Sequence, residues 1–167
     1  MKLPPLYHGT SKAVLQAIET GQPFVKPVFA ESNVSLGGAY FTSTRYMAEA
    51  HACLAAGMHS SDPVILMVDP TFDLLPDEDF VVHVAEKLDE SEIKKAGLTK
   101  FMADLFIGYP GDGHSLSDHY KARYDDLNAR HGITWKHSLK WINSVRQADG
   151  VTADQILEVI PVAAKVV

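Results

Sequence analysis

One cysteine in 167 residues means that no internal disulfide can form. That residue, Cys53, lies in the helical-looking run Ala48-Glu49-Ala50-His51-Ala52-Cys53-Leu54, where nothing marks a lowered-pKa environment. The expectation is a buried structural thiol rather than a nucleophile. No apolar run approaches the roughly 18 residues needed to cross a bilayer, and Met1-Lys2-Leu3-Pro4-Pro5 lacks the apolar core of a secretion signal. The chain therefore reads as a soluble, cytoplasmic protein with no membrane partner. A His-Glu-x-x-His helix and a Cys/His ligand set are both missing, so no metal is expected. Gly108-Tyr109-Pro110-Gly111-Asp112-Gly113 has neither the Lys-Ser/Thr ending nor the preceding buried strand of a phosphate-binding loop, and reads as a surface loop. There is no internal repeat and no low-complexity tract.

Basic excess is lacking too. With 21 acids against 15 lysines and arginines the net charge is −6, which disfavours tight nonspecific binding to phosphate backbones. The charge is uneven, however. Asp69 to Glu92 is almost wholly acidic, whereas Lys121, Arg123, Arg130, Lys136, Lys140 and Arg146 outnumber Asp125 and Asp126 and leave a local basic face open. Within the acidic stretch, Leu74-Leu75-Pro76-Asp77-Glu78-Asp79 lacks the spaced ligands of a calcium loop and reads as a solvated turn. A hydrophobic content of 46% and a charged content of 22% suit one globular domain over residues 1–167.

Leu3 to Tyr7 reads as a short strand whose Pro4-Pro5 suits an edge or a strand start, followed by a tight turn at Gly9. Thr10-Ser11 then caps a helix with Val14, Leu15 and Ile18 on one face and a stop at Gly21. Gln22 to Gly38 is a loop, Ala39 to Thr42 a brief strand, and Thr44 caps a helix whose Met47, Ala50, His51, Leu54 and Ala55 share a face before Gly57. Val64 to Val68 is an apolar strand buried on both faces. Helices are expected from Ser91 to Phe106, Leu116 to Ala129 and Trp135 to Arg146, with Trp135 and Trp141 on different faces of the last. Ile156 to Val162 is the closing strand. The order of elements predicts an α+β fold with a central sheet.

Two short blocks carry chemistry. In Tyr7-His8-Gly9-Thr10-Ser11 an imidazole, with one donor and one acceptor, precedes a glycine that lets a ligand approach the backbone. The second block is Gly38-Ala39-Tyr40-Phe41. Together they resemble the ADP-ribosyltransferase superfamily, in its poly-ADP-ribose-polymerase-like or diphtheria-toxin-like branch. The resemblance covers the N-terminal third well, Val64 to Val68 loosely and the last strand by position. It implies a split β-sheet core, with residues 80–150 as a helical insertion, and NAD as co-substrate.

Carried over by position, the resemblance implies that His8 binds the nicotinamide-ribose 2′-hydroxyl, that the Gly9 backbone pairs with the carboxamide, and that Tyr40 stacks on the nicotinamide ring. Thr10 and Phe41 belong to the same two walls. Where the family has a carboxamide-binding serine and a second ring, this chain has Ala48 and His51, leaving Ser43 or Thr42 to supply the hydroxyl. The family's glutamate, which steadies positive charge as nicotinamide departs, falls at Gln155; Glu158 and then Asp154 are the next candidates, unless all three are ordinary strand-edge residues.

The implied activity is mono-ADP-ribosyl transfer from NAD to a macromolecular acceptor, a protein ahead of a nucleic acid, as in an effector acting inside a cell. An inactive NAD-binding interaction module is the alternative, since Gln155 carries no charge. An NAD-dependent RNA 2′-phosphotransferase is third, because Arg45 is the only arginine before Arg123.

Overall fold

The computed structural model describes residues 4–22, 36–69, 73–80, 113 and 116–163. Strand β1, Leu6–Ser11, starts just after Pro4-Pro5, which lack the N–H groups that a ladder uses. Ser11 ends it and caps α1, Lys12–Glu19, its hydroxyl accepting from the Val14 N–H at 3.4 Å. As expected, Val14, Leu15 and Ile18 are the buried face of α1. Strand β2, Ala39–Thr42, leads through Thr44 into α2, Arg45–His59, which continues past Gly57 to a left-handed Ser60. Strand β3 is the apolar run Pro63–Val68.

A two-residue β4, Leu75–Pro76, is followed among the described residues by α3, Leu116–His131, and α4, Trp135–Ile142. Then come β5, Ser144–Gln147, a 3-10 turn, Ala153–Gln155, and β6, Ile156–Pro161. The helix expected from Ser91 to Phe106, the Gly108 to Gly113 loop apart from Gly113, and most of the Gln22 to Gly38 loop lie outside the described residues. Among the described residues no helix is long and apolar enough to cross a membrane.

The six strands form one antiparallel sheet in the order β4-β5-β2-β1-β3-β6, so the fold is α+β. Its pairing is uneven. β1 and β3 are in register at six positions and β2 and β5 at four, whereas β1 and β2 share the single pair Tyr7↔Thr42. The sheet thus consists of two three-stranded halves joined at a narrow seam. On one face Leu6, Phe41, Leu66, Val68 and Val145 pack with α1, and on the other Ile65 packs with Ala48 and Ala52 of α2.

Several expectations change. Pro4-Pro5 mark a strand start and not an edge, since β1 is interior, and Gly9 lies within the strand rather than in a turn. A Cβ on Gly9 would stand 1.9 Å from the Ala48 carbonyl oxygen, so the glycine admits the α2 backbone and not a ligand. That close approach also sets the helix phase: Ala48, Ala52 and Ala56 face the sheet, which turns Leu54 and Cys53 outward, and the thiol is exposed. The helix predicted to reach Arg146 ends at Ile142, where Asn143 adopts φ +56°. The stretch 80–150 therefore returns a strand, β5, to the sheet beside β2.

Candidate functional site

His8 stands in the middle of β1, at the seam. Its Nδ1 is 2.8 Å from the Tyr40 carbonyl oxygen, so Nδ1 carries the proton and donates, and its ring centroid is 5.9 Å from that of Phe41. Burial holds the imidazole pKa below its ordinary value, a bias that the Tyr40 carbonyl opposes and the charge of His51 reinforces. This side-chain bond joins β1 to β2 beside their single register pair, Tyr7↔Thr42.

The pleat turns Tyr40 to the face opposite Phe41, where its partner across β2 and β5 is Arg146. There the Tyr40 hydroxyl donates to Glu78 Oε1, which also accepts the Leu36 N–H at 3.1 Å. Arg146 donates to the Gly37 carbonyl at 3.3 Å, and its guanidinium carbon lies 5.5 Å from the Tyr124 ring centroid. Its Nε stands 3.9 Å from Glu78 Oε2, at the limit of an ion pair. Among the described residues neither of these two atoms has a hydrogen-bond partner, although the side chains are only 7% and 4% exposed.

Burial pushes the Glu78 carboxyl up to about 7, with the neighbouring Asp77 charge adding to it; the Tyr40 hydroxyl and the backbone N–H groups pull the other way without cancelling it. Burial also raises the Tyr124 phenol, whose hydroxyl donates to the Pro76 carbonyl. Asp77 is locked more firmly. Its carboxylate accepts from the Ser144 hydroxyl and from the Asp79 N–H at 2.9 Å, and its own N–H donates to Ser138 Oγ at 3.0 Å. Ser138 in turn donates to the Ser144 carbonyl at 2.6 Å. This junction of β4, α4 and β5 fixes where Glu78 projects.

The reading of Leu74 to Asp79 as a solvated turn is thereby corrected: Asp77 is 6% and Glu78 3% exposed, and only Asp79 faces water. β4 is too short to signal itself as a strand, and the three acids run together without a period that separates inner from outer. No family model, curated protein or solved structure matches this chain.

The other expected members are dispersed. Gln155 closes the 3-10 turn, its Oε1 accepting from the Thr152 N–H at 3.0 Å and its Nε2 3.5 Å from Gln147 Oε1, so its amide serves the turn. Glu158 is exposed on β6, opposite Met67, with β3 and β1 between it and β2. Asp154 is exposed as well. Thr10 and Phe41 are buried, the latter in the main core. The Ser43 hydroxyl donates to Asn143 Oδ1 at 3.0 Å, and Thr42 Oγ1 accepts the Thr44 N–H at 3.2 Å. Ala48 packs under Gly9 and cannot reach a ligand from there, while His51 is exposed yet near enough for its charge to bear on His8.

Glu78 makes a stability prediction. The carboxyl ordinarily titrates at 4.5 and in the folded protein at about 7, so the folded state holds the proton where the unfolded state has lost it. Its contribution is full below pH 4.5 and is lost as pH rises to about 7, by about 3 kcal/mol. His8 works oppositely, because a lowered histidine pKa removes stability as pH falls below 6.5. Urea unfolding of the wild type and Glu78→Gln from pH 4 to 8 separates the two: the variant should lack the decline, and parallel curves would refute the assignment.

Proposed function

We propose that the chain takes NAD as a substrate at the seam between β1 and β2 and transfers its ADP-ribose to a macromolecular acceptor, releasing nicotinamide. The observation that carries this reading is the contact of the Tyr40 hydroxyl with Glu78. It brings a carboxyl group to the tyrosine of the His-Tyr pair and so supplies the anion that Gln155 lacks.

In this reading Tyr40 presents its ring to nicotinamide while its hydroxyl holds Glu78 Oε1, and His8, on the opposite face of the sheet, positions Tyr40 by donating its Nδ1–H to the Tyr40 carbonyl. The bond from the ribose anomeric carbon to the nicotinamide nitrogen breaks with its electron pair going to nicotinamide. An acceptor lone pair forms the new bond, and the acceptor's proton leaves to solvent. Glu78 Oε2, which has no hydrogen-bond partner among the described residues, supplies negative charge to steady the positive charge that builds on the ribose, and preorganised charge of this kind is usually the largest catalytic term. Gly9 serves packing in this scheme, not carboxamide recognition.

The test is incubation of the full chain with labelled NAD and a cell lysate at pH 8, where Glu78 is ionised. A labelled macromolecule together with released nicotinamide is the expected result. Neither product, alongside a melting temperature that NAD raises, would identify a binding module instead.

A further inference from the structure

Arg146 is buried on the Tyr40 face of the sheet and takes no step in the transfer described above, although a buried guanidinium is costly unless its charge is met. Three elements fix its head. Strand β5 sets it opposite Tyr40, the Gly37 carbonyl just before β2 accepts from its Nη1 at 3.3 Å, and the Tyr124 ring of α3 lies 5.5 Å from its guanidinium carbon. Tyr124 is itself tied down, because its hydroxyl donates to the carbonyl of Pro76, two residues before Glu78. Guanidinium and carboxyl are thus anchored to the same short segment.

Glu78 is held by hydrogen bonds at one oxygen. Oε1 accepts from the Tyr40 hydroxyl and the Leu36 N–H, which fixes that atom and leaves the direction of Oε2 to whatever charge stands beside it. That charge is Arg146, whose Nε lies 3.9 Å from Oε2, and among the described residues neither atom has a hydrogen-bond partner. Attraction of opposite charges acts at this distance, yet Oε2 stays available to positive charge on a ribose. We infer that Arg146 positions Glu78 for the transfer, aiming Oε2 without engaging it. A bidentate pair would have occupied both oxygens. Among the described residues the other titratable groups that bear on Glu78 are Asp77, Tyr40 and Tyr124, and none of them is a cation.

This role rests on the transfer proposed above, and one arm of its test needs no NAD. NMR of the carboxyl carbons in the glutamate-labelled full chain follows the Glu78 titration, the resonance lost in Glu78→Gln giving the assignment. In Arg146→Met the carboxyl should titrate about one to three pH units higher than in the wild type, and Arg146→Lys, which returns the charge, should bring it back toward the wild-type value. The second arm is nicotinamide release. Above both inflections the Arg146→Met kcat should stay down about tenfold to a hundredfold with KM for NAD within about threefold, because direction and not ionisation is lost, and Arg146→Lys should recover part of it. Release retained by the wild type with an unmoved Glu78 titration in Arg146→Met, or a raised KM at unchanged kcat, would overturn this role alone. No release by the wild type would end the transfer and this role together, even where the titration shift remains.

Discussion

Replacing Gly9 with alanine is expected to destabilise the protein by about 3 kcal/mol or more, at the upper end of what overpacking does. The added Cβ would lie 1.9 Å from the Ala48 oxygen and 2.7 Å from the Ala52 nitrogen. Both are backbone atoms, so no side-chain rotation relieves the clash and α2 has to lift from β1. Lifting opens the core that Ala48 and Ala52 share with Ile65 and loosens the strand that carries His8. Urea unfolding measures the loss, and a change under about 1 kcal/mol would remove this account of Gly9. Gly57 is the internal comparison. It lies in the same helix with nothing within 4 Å of its would-be Cβ, so Gly57→Ala should stabilise the protein by about 0.5–1 kcal/mol.

The second large effect concerns turnover. If Glu78 supplies the anion, Glu78→Gln should lower the rate constant for nicotinamide release by roughly 10²–10³-fold, the range for removing one preorganised electrostatic group. The ionised carboxylate is the working form, so the wild-type rate should rise with pH through about 7 and level off above it, and this inflection should vanish in the variant. The variant should also be the more stable protein above pH 7, because a buried charge is gone. Opposite movement of stability and turnover separates lost chemistry from misfolding. Turnover within about threefold of the wild type would take Glu78 out of the mechanism.

Much of the fold was legible in local sequence. The α1 face of Val14, Leu15 and Ile18, the brief Ala39–Thr42 strand and the apolar run Val64 to Val68 all emerge as expected, because each has a full period and flanking caps or turns. The last strand was legible too, ending at Pro161 one residue short of the expected Val162, and the structure places it at the edge of the sheet, where proline costs no ladder bond. Errors gathered where backbone approaches backbone or where elements are short. For α2 the local pattern points to the wrong face, since alanines seldom outrank leucine as core residues unless a glycine strand lies beneath them. β4, of two residues, is too short for periodicity to register, and β5 follows α4 with only Asn143 between them, so its residues read as the end of that helix.

The candidate site divides the same way. By itself the sequence determined an α+β chain with Tyr40 in a strand and His8 at the end of one, because a strand's residues and a histidine's chemistry are local properties. Only the tertiary structure decided that those strands are neighbours at a narrow seam, that their side chains take opposite faces, and that Glu78 and Arg146 meet Tyr40 across separations of 38 and 106 residues. It also assigned Gln155 to a turn and Glu158 to an outer edge. The physical reason is burial. A carboxyl in Asp77-Glu78-Asp79 looks solvated in any local window, and its proton affinity rises only when β4, β5 and α3 close around it.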